Sequence, residues 1–161
     1  MSFREKILSP STLPRWRESL RQLGRRVVTT NGCFDILHLG HVSYLESARE
    51  QGDVLLVGVT GDVSVGKLKG PGRPVNSETD RASVVAALAS VDAVCVFSDD
   101  NAIPFLDLAR PDLYVKGGDY TLETINQEER RFLESIGCRV ILIPPVPAKS
   151  TSTLLEKIAR L

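Results

Sequence analysis

The stretch that decides the fold of this chain is TTNGCFDILHLGH, which runs from Thr29 to His41. The β-branched residues at positions 27–30 predict a buried strand, and Asn31-Gly32 predicts the loop that ends it. Apolar residues at helical spacing begin near Leu39. The stretch therefore predicts a strand, a loop and a helix N-terminus in immediate succession.

The same stretch contains both histidines of the chain, His38 and His41, on either side of Gly40. Side chains three residues apart share one face of a helix. A helix N-terminus presents unpaired N–H groups and the positive end of the helix dipole, so it attracts phosphate. Gly40 leaves room for a ligand, and the two imidazoles can donate to phosphate oxygens. This arrangement predicts phosphoryl or nucleotidyl transfer.

The composition is that of a soluble globular domain. Of 161 residues, 42% are hydrophobic, and 20 basic side chains balance 20 acidic ones. Without a net positive field, neither nucleic acid nor an anionic membrane is an expected partner, and small ligands are favoured. Cys33, Cys95 and Cys138 lack the paired spacing of a disulfide framework or a zinc ribbon. The N-terminus lacks the apolar core of a signal peptide, and no run of about 18 apolar residues occurs, so we expect a cytoplasmic protein.

Five short apolar runs alternate with helical patterns, and the runs lie at 27–30, 54–59, 93–97, 113–115 and 140–143. This alternation predicts an α/β fold with a Rossmann-like, doubly wound sheet of five parallel strands. The helical patterns at 39–51 and 77–89 are the clearest. Ligands on such sheets bind beyond the carboxyl ends of the strands, where the segments at 60–62, 98–101 and 116–119 follow their runs.

Several motifs resemble those of one family. The segment around His38 and His41 resembles the His-x-Gly-His signature of the nucleotidyltransferase superfamily, also called cytidylyltransferase-like. The later motifs are similar to those of bacterial heptose 1-phosphate adenylyltransferases, the ADP-heptose synthases, and they lie at 69–76, Arg81, 112–120 and 150–153. The resemblance covers about residues 26 to 160. It implies a nucleotidyltransferase domain over 26–161. The apolar residues within 1–25 have near-helical spacing, which predicts an N-terminal helical extension that packs on the sheet or on a second subunit.

The resemblance also implies an activity. It is the transfer of AMP from ATP to D-glycero-D-manno-heptose 1-phosphate, which gives ADP-heptose and pyrophosphate for lipopolysaccharide core or other heptose glycan synthesis. Mg²⁺ would accompany ATP, without a dedicated protein site for the metal. A separate sugar kinase would act upstream, and the protein could form a homodimer. Two alternatives stay open: a cytidylyltransferase for glycerol 3-phosphate or a related alcohol phosphate, and a non-catalytic regulatory module that binds nucleotides.

The resemblance and the residue chemistry together predict three groups of site residues. The catalytic group is His38, His41 and Lys69. The group that contacts ATP is Thr30, Asn31, Gly32, Cys33, Phe34, Gly40, Arg81, Lys116, Gly117, Asp119, Ser150, Thr151, Ser152 and Thr153. The group that contacts the acceptor is Asp35, Lys67 and Arg73.

Each of these roles has a simpler structural alternative. The histidines could be zinc ligands or a purely structural pair, and Lys69 could be a solvated loop charge. Arg81 could be an exposed helical arginine, and residues 116–119 could form a plain turn. Ser150 to Thr153 could simply begin a helix, and Asp35 could cap the helix that carries the histidines. Ala148-Lys149 departs from the commoner superfamily pattern, which leaves the role of Lys149 open.

Overall fold

The computed structural model describes residues 2–147 and 150–161, so Ala148 and Lys149 lie outside the described residues. A short 3₁₀ helix, Phe3–Lys6, comes first. The strands are β1 (Ile7–Leu8), β2 (Val27–Gly32), β3 (Val54–Thr60), β4 (Ala93–Phe97), β5 (Leu113–Gly117) and β6 (Arg139–Ile143). The α-helices are α1 (Leu13–Gln22), α2 (Leu39–Arg49), α3 (Asp62–Lys69), α4 (Glu78–Ala86), α5 (Ile103–Ala109), α6 (Gln127–Ser135) and α7 (Thr151–Ile158).

The described strands form one parallel sheet in the order β1-β4-β3-β2-β5-β6. The predicted α/β fold is confirmed, but the predicted number of five strands is wrong by one. The additional strand is β1, in which Ile7 pairs with Val94 of β4. Two residues are too few to show a periodic pattern, so this edge strand left no signal in the sequence.

Helices cover both faces of the sheet because the strands carry apolar side chains on each side. Buried residues of α2 and α4 pack on one face, and Leu45 and Val85 are among them. Buried residues of α1, α5 and α6 pack on the other face, where Leu13, Phe105 and Leu133 meet. The N-terminal helix α1 therefore packs on the sheet of its own chain.

An ion pair fixes α1 to the strand edge opposite the functional motifs. The Arg17 guanidinium lies 3.0 Å from both carboxylate oxygens of Asp112, and it also donates to the carbonyl of Arg110 at 2.8 Å. Asp112 in turn accepts the N–H of Val27, the first residue of β2, at 2.7 Å. The N-terminal segment is thus tied to the start of two central strands.

The order of the strands creates a switch point between β2 and β5. From β2 the chain continues to β3 through α2 on one face, whereas from β5 it continues to β6 through α6 on the other face. Connections that leave neighbouring strands over opposite faces open a crevice at the carboxyl ends of those strands. The motif at 29–41 begins at this crevice. No helix among residues 2–147 and 150–161 is long and apolar enough to cross a membrane.

Candidate active site

A cavity of about 940 Å³ opens at the carboxyl ends of the strands. The segments that follow β2, β3, β4, β5 and β6 all contribute to its wall, as the strand–loop pattern predicts. The residues from the predicted groups that line it are Asn31, Gly32, Cys33, Phe34, Asp35, His38, Gly40, His41, Lys69, Arg73, Lys116, Gly117, Thr151 and Ser152.

His38 and His41 stand at the N-terminus of α2 and bond to its backbone. His38 is the N-cap residue, and its Nδ1 accepts the N–H of Gly40 at 3.1 Å. The Nδ1 of His41 accepts the N–H of His38 at 3.3 Å. The two ring centroids are 4.0 Å apart. An imidazole that accepts through Nδ1 carries the proton of its neutral form on Nε2, so both tautomers are set by the helix end.

His41 is neutral at ordinary pH. Burial lowers its pKa, and the neighbouring His38 lowers it further, from 6.5 to about 4. A neutral imidazole with its proton on Nε2 is a hydrogen-bond donor that needs no charge to act. The ring also packs 5.8 Å from the Phe34 ring, centroid to centroid, which keeps it at the cavity wall.

Asp35 holds the loop between β2 and α2 against the segment at 73–76. Its carboxylate accepts the N–H groups of Val75 and Asn76 at about 3 Å and the Nε–H of Arg73 at 2.7 Å. Burial opposes the charge, but the bonds to Asn76, Val75 and Arg73 lower the pKa of Asp35 overall. The predicted helix cap at Asp35 is therefore wrong, since His38 takes that position and Asp35 bonds to a distant loop.

Arg81 is a buried structural group. Its side chain is almost fully buried, and its guanidinium bonds to Asp62 at 2.7 Å and to the carbonyls of Asn76 and Cys33. The alternative of an exposed helical arginine is wrong. In the described structure Arg81 does not line the cavity, and it supports the loop at Cys33, because each of its three nitrogens donates one hydrogen bond to the Asp62 carboxylate or to one of the two carbonyls.

Lys69 and Lys67 lie near each other in α3 but face different surroundings. Lys69 is the last residue of α3 and lines the cavity. Lys67 is exposed and forms an ion pair with Asp100 at 2.6 Å. Among the described lining residues, Lys69 is included and Lys67 is not.

Lys116 and Gly117 end β5 on the opposite wall. Burial lowers the pKa of Lys116, while the charge of Glu129 raises it in part. A Cβ at Gly117 would overlap the ring of Tyr44, so only glycine allows this packing. The Tyr44 hydroxyl donates to the Val115 carbonyl at 2.9 Å. Tyr44 thus fixes α2 to β5 at the base of the cavity.

The last helix begins at the cavity as well. Ser150 is its N-cap, and the Ser150 hydroxyl accepts the N–H of Thr153 at 3.1 Å, which confirms the predicted helix start. Thr151 and Ser152 line the cavity. Ser150 therefore caps the helix, while the next two hydroxyl residues, Thr151 and Ser152, line the cavity.

Four other residues that were predicted to contact ATP do not line the cavity in the described structure. The Thr30 hydroxyl is buried and shares a hydrogen bond with Tyr44, which fixes the side chain below the cavity floor. Asp119 is exposed, and among the described residues Gly118 and Tyr120 line the cavity whereas Asp119 does not. Ser150 and Thr153 are occupied with the helix cap.

Some residues at the cavity had no signal in the sequence. Glu129 lines it and accepts the N–H of Ala102 at 3.0 Å, and Tyr114, which is buried behind the wall, bonds with its hydroxyl to the amide oxygen of Asn31. Asn126 lines the cavity at the start of α6. Asn126 precedes two glutamates in the pattern of a helix cap, which could have been noticed, whereas the other contacts depend on residues that are far apart in sequence.

The comparisons with known proteins agree with this geometry. Residues 29–157 match the family model described as cytidylyltransferase-like. The chain is 48% identical over 151 residues to the bifunctional protein HldE of Syntrophotalea carbinolica, which covers 89% of this chain and 30% of that protein. It is 46% identical over 155 residues to the bifunctional protein HldE of Mesorhizobium japonicum, covering 96% and 31%. The chain thus spans about 30% of the length of these relatives.

Solved structures share the fold. A lipopolysaccharide core biosynthesis protein from Thermoplasma volcanium is 25% identical with a TM-score of 0.65, covering 78% of this chain and all of that one. A pantoate-beta-alanine ligase from Francisella tularensis is 13% identical with a TM-score of 0.62, covering 96% and 79%. The latter supports the fold alone. The fold, the paired histidines and the match over residues 29–157 show that the chain belongs to the cytidylyltransferase-like family.

Proposed function

We propose that this protein is an adenylyltransferase that transfers AMP from ATP to D-glycero-D-manno-heptose 1-phosphate and releases pyrophosphate. The product, ADP-heptose, would serve lipopolysaccharide core or other heptose glycan synthesis in the cytoplasm. The similarity to two HldE proteins and to a lipopolysaccharide core biosynthesis protein supports this choice of substrate. Since those relatives are named bifunctional and the chain matches about 30% of them, we assign to it one of their two activities.

The observation that carries the proposal is the histidine pair at the start of α2. His38 and His41 line the cavity, and Nδ1 of each ring accepts a backbone N–H, so the neutral His41 ring carries its proton on Nε2 and can donate it to a ligand. The low pKa of His41 keeps it uncharged at pH 7. A neutral donor that is fixed before the reaction stabilises the negative charge that develops on the oxygens around the reacting phosphorus, and one such donor contributes roughly 3 to 4 kcal/mol.

The reaction needs no covalent enzyme intermediate. An oxygen of the sugar phosphate attacks the α-phosphorus of ATP, a new P–O bond forms, and the bond to the bridging oxygen breaks as pyrophosphate leaves. The acceptor phosphate is already a nucleophile at neutral pH. The protein therefore has to position two anions, which is worth roughly 7 to 11 kcal/mol, and to offset their repulsion with cations such as Lys69.

Magnesium would enter with the substrate, as the ATP complex. The described residues hold no group of three or more His, Cys, Asp or Glu side chains that could bind a metal ion. In the cavity, Asp35 is committed to Arg73 and to two backbone N–H groups. We therefore assign the ion no protein ligand and no step of its own.

Pyrophosphate release tests the proposal. The protein is incubated with MgATP or MgCTP, each with D-glycero-D-manno-heptose 1-phosphate or glycerol 3-phosphate, and the double variant His38→Ala/His41→Ala is the control. Release with ATP and the heptose phosphate alone is the expected result. Release with CTP and glycerol 3-phosphate would identify a cytidylyltransferase instead. ATP binding without release from any pair would favour a regulatory module.

The proposal includes two partners. A sugar kinase acts earlier in the reaction sequence, in agreement with the bifunctional relatives, and a second copy of the chain forms a homodimer. Light scattering at several protein concentrations tests the dimer, and a mass of 17.6 kDa throughout would contradict it.

A further inference from the structure

Arg73 lines the cavity with only one of its three guanidinium nitrogens bonded to protein. Its Nε donates to Oδ2 of Asp35 at 2.7 Å. Oδ1 of the same carboxylate accepts the N–H groups of Val75 and Asn76 at 3.0 and 2.9 Å, which occupies both of its lone pairs. Among the described residues, Nη1 and Nη2 of Arg73 have no hydrogen-bond partner. The N–H groups of both nitrogens are therefore unused.

These two nitrogens are open to solvent. In the described part of the chain, the buried side-chain nitrogens and oxygens that lack a partner belong to Arg17 and Thr29. Nη1 and Nη2 of Arg73 also lack a partner and are not among them, so they are not buried. The Arg73 side chain is 22% exposed. The unused donors thus belong to an accessible side chain of the cavity wall.

Asp35 restricts the direction of the Arg73 guanidinium. The guanidinium is planar and rigid, so a short bond at Nε limits where Nη1 and Nη2 point. The Asp35 side chain is 2% exposed, and the backbone N–H groups of Val75 and Asn76 hold its carboxylate in place. An arginine that is oriented before a ligand arrives loses less rotamer freedom on binding. Asp35 therefore prepares Arg73 for a ligand without presenting its own oxygens.

The loop that carries Arg73 also has a second cation. Lys69 ends α3 at the start of this loop, and it lines the cavity as well. The charge of Asp35 offsets that of Arg73 in part, but two backbone N–H groups share that carboxylate. The loop consequently presents positive charge and unused N–H donors to the cavity, which favours an anion.

The chemistry of the unused donors indicates which anion it is. The N–H groups at the end of a guanidinium match two oxygens of a phosphoryl group, and the two hydrogen bonds are charge-assisted. An ammonium group supplies the charge but not this paired geometry. A terminal phosphoryl group has enough free oxygens for such a bidentate contact. Both proposed substrates have one, namely the phosphate of the acceptor sugar and the γ-phosphate of ATP.

We propose that Nη1 and Nη2 of Arg73 bind a terminal phosphoryl group of a substrate in a bidentate contact, and that Asp35 is the positioning residue that aligns them. The inference rests on the proposed function for its two ligands. It gives Asp35 a role through Arg73 in place of direct contact with the acceptor. The experiment distinguishes the two sources of the phosphoryl group.

Binding titrations without turnover make that distinction. Calorimetry measures the affinity for D-glycero-D-manno-heptose 1-phosphate alone and for MgATP alone, in the wild type, Arg73→Ala and Arg73→Lys. The lysine keeps the charge but lacks the paired N–H groups. Arg21→Lys is the matched control, because it makes the same exchange in an exposed arginine that pairs with Glu18 at 2.9 Å. Circular dichroism confirms that each variant is folded.

We expect Arg73→Ala to weaken the binding of one ligand at least about 30-fold and Arg73→Lys at least about tenfold, with the other ligand changed less than threefold. Arg21→Lys should change neither affinity. A loss confined to the sugar phosphate identifies the acceptor as the source of the phosphoryl group, and a loss confined to MgATP identifies the γ-phosphate.

Three results would overturn the bidentate contact. Wild-type affinity in Arg73→Lys would show that a point charge is sufficient. Losses below threefold for both ligands in Arg73→Ala would show that Arg73 only ties its loop to Asp35. Equal losses for both ligands would mark a general disturbance of the cavity wall.

A double-mutant cycle tests the role of Asp35. Asp35→Asn should weaken the same ligand about fivefold, and in the Arg73→Ala background it should cause no further loss beyond twofold. A loss of equal size in both backgrounds would show that Asp35 does not act through Arg73. If Asp35→Asn is unfolded, Asp35→Glu takes its place in the cycle, since the longer side chain keeps the charge and displaces the guanidinium.

The titrations also separate this inference from the proposed function. A wild type that binds both ligands but releases no pyrophosphate would contradict the reaction, while the Arg73 variants would still decide the phosphoryl contact. A wild type that binds MgATP but no sugar phosphate would contradict the proposed acceptor, and the MgATP titrations would then decide the contact alone.

Discussion

His38 and His41 together cap the N-terminus of α2, and each imidazole accepts one backbone N–H of this helix end. The Nδ1 of His38 accepts the N–H of Gly40, and the N–H of His38 donates to the Nδ1 of His41. This reciprocal arrangement resembles a capping box in which imidazoles replace the usual hydroxyl and carboxylate. A structural role and a phosphate-binding role are therefore compatible, because capping uses one nitrogen of each ring and fixes the proton on the other.

Removal of one imidazole should affect turnover far more than nucleotide binding. We expect His41→Ala to lower kcat by about 100- to 1,000-fold, since one preorganised donor to the transition state is lost. ATP affinity should change no more than about threefold. Stopped-flow detection of pyrophosphate gives kcat, and calorimetry gives the Kd for ATP.

The control for His41→Ala is stability, because the imidazole also helps cap α2. Loss of the cap should cost about 1 kcal/mol in urea unfolding, too little to unfold the protein. Equal losses of turnover and of ATP affinity would contradict a role in the transition state.

The depressed pKa of His41 predicts that the fold weakens in mild acid. The unfolded chain takes up a proton at His41 near pH 6.5, whereas the folded chain does so only near pH 4. Between these values the unfolded state binds more protons, so stability falls as pH falls. From pH 7 to pH 5 the loss due to His41 should be about 1 to 2 kcal/mol, because solvent at the partly exposed ring screens part of the shift.

Urea unfolding at both pH values measures this contribution. His41→Gln lacks the group that titrates, and it should lose about 1 to 2 kcal/mol less than the wild type over the same interval. The carboxylates are common to both proteins and cancel in the difference. Parallel pH profiles for the two proteins would show that His41 titrates normally.

The sequence predicts features that depend on neighbouring residues. The runs at 93–97 and 140–143 became β4 and β6 almost without change, because buried parallel strands are continuous in apolar residues. Ser77 and Ser150 begin helices by bonding to the N–H three residues on. In the predicted apolar stripe of α2, however, Leu39 and Val42 are 57% and 40% exposed, since the helix start borders the cavity.

Features that depend on distant residues could not be predicted. Nothing near Arg81 in the sequence shows that it will bond to the Cys33 carbonyl, 48 positions away. The partners of Asp35 lie 38 to 41 positions away. The bond from Ala102 to Glu129 crosses between two helices. Such pairs arise only when the sheet brings separate loops to one edge, so local patterns contain no trace of them.

Loss of the Asp35 charge should destabilise the whole protein. The Asp35 side chain is 2% exposed, and its carboxylate is the shared acceptor for Arg73, Val75 and Asn76. Asp35→Asn leaves a partly buried guanidinium without its counter-ion and turns an amide donor toward other donors. We expect a loss of about 3 kcal/mol or more in urea unfolding.

Asp100→Asn is the matched control for this loss. It removes the partner of Lys67 from an exposed ion pair, so the change should be below about 1 kcal/mol. Similar losses in both variants would mean that the Asp35 network contributes no more than a surface pair.

Two lysines of α3 should differ in their effect on activity. Lys69 lines the cavity, whereas Lys67 pairs with Asp100 at the surface. Lys69→Ala should lower kcat/KM about 100-fold, because a cation that offsets repulsion between two anions is lost. Lys67→Ala should lower it less than about threefold. Small and equal effects in initial-rate assays would place both lysines in solvent.

The contact between Gly117 and Tyr44 should show strong coupling. A Cβ at Gly117 would overlap the Tyr44 ring, which is held in place by its bond to the Val115 carbonyl. Gly117→Ala should therefore cost about 1 to 3 kcal/mol in urea unfolding. In Gly117→Ala/Tyr44→Ala the ring that the new Cβ would overlap is gone, so the double variant should lose at least about 1 kcal/mol less than the sum of the single variants.

Gly66→Ala is the control for Gly117→Ala. A Cβ at that helical position meets only one atom, at 3.5 Å, so this substitution should be neutral or stabilising. Additive losses in the free energy of unfolding would contradict the coupling between Gly117 and Tyr44, because they would show that β5 can move away from α2 at little cost despite the packing of Tyr44.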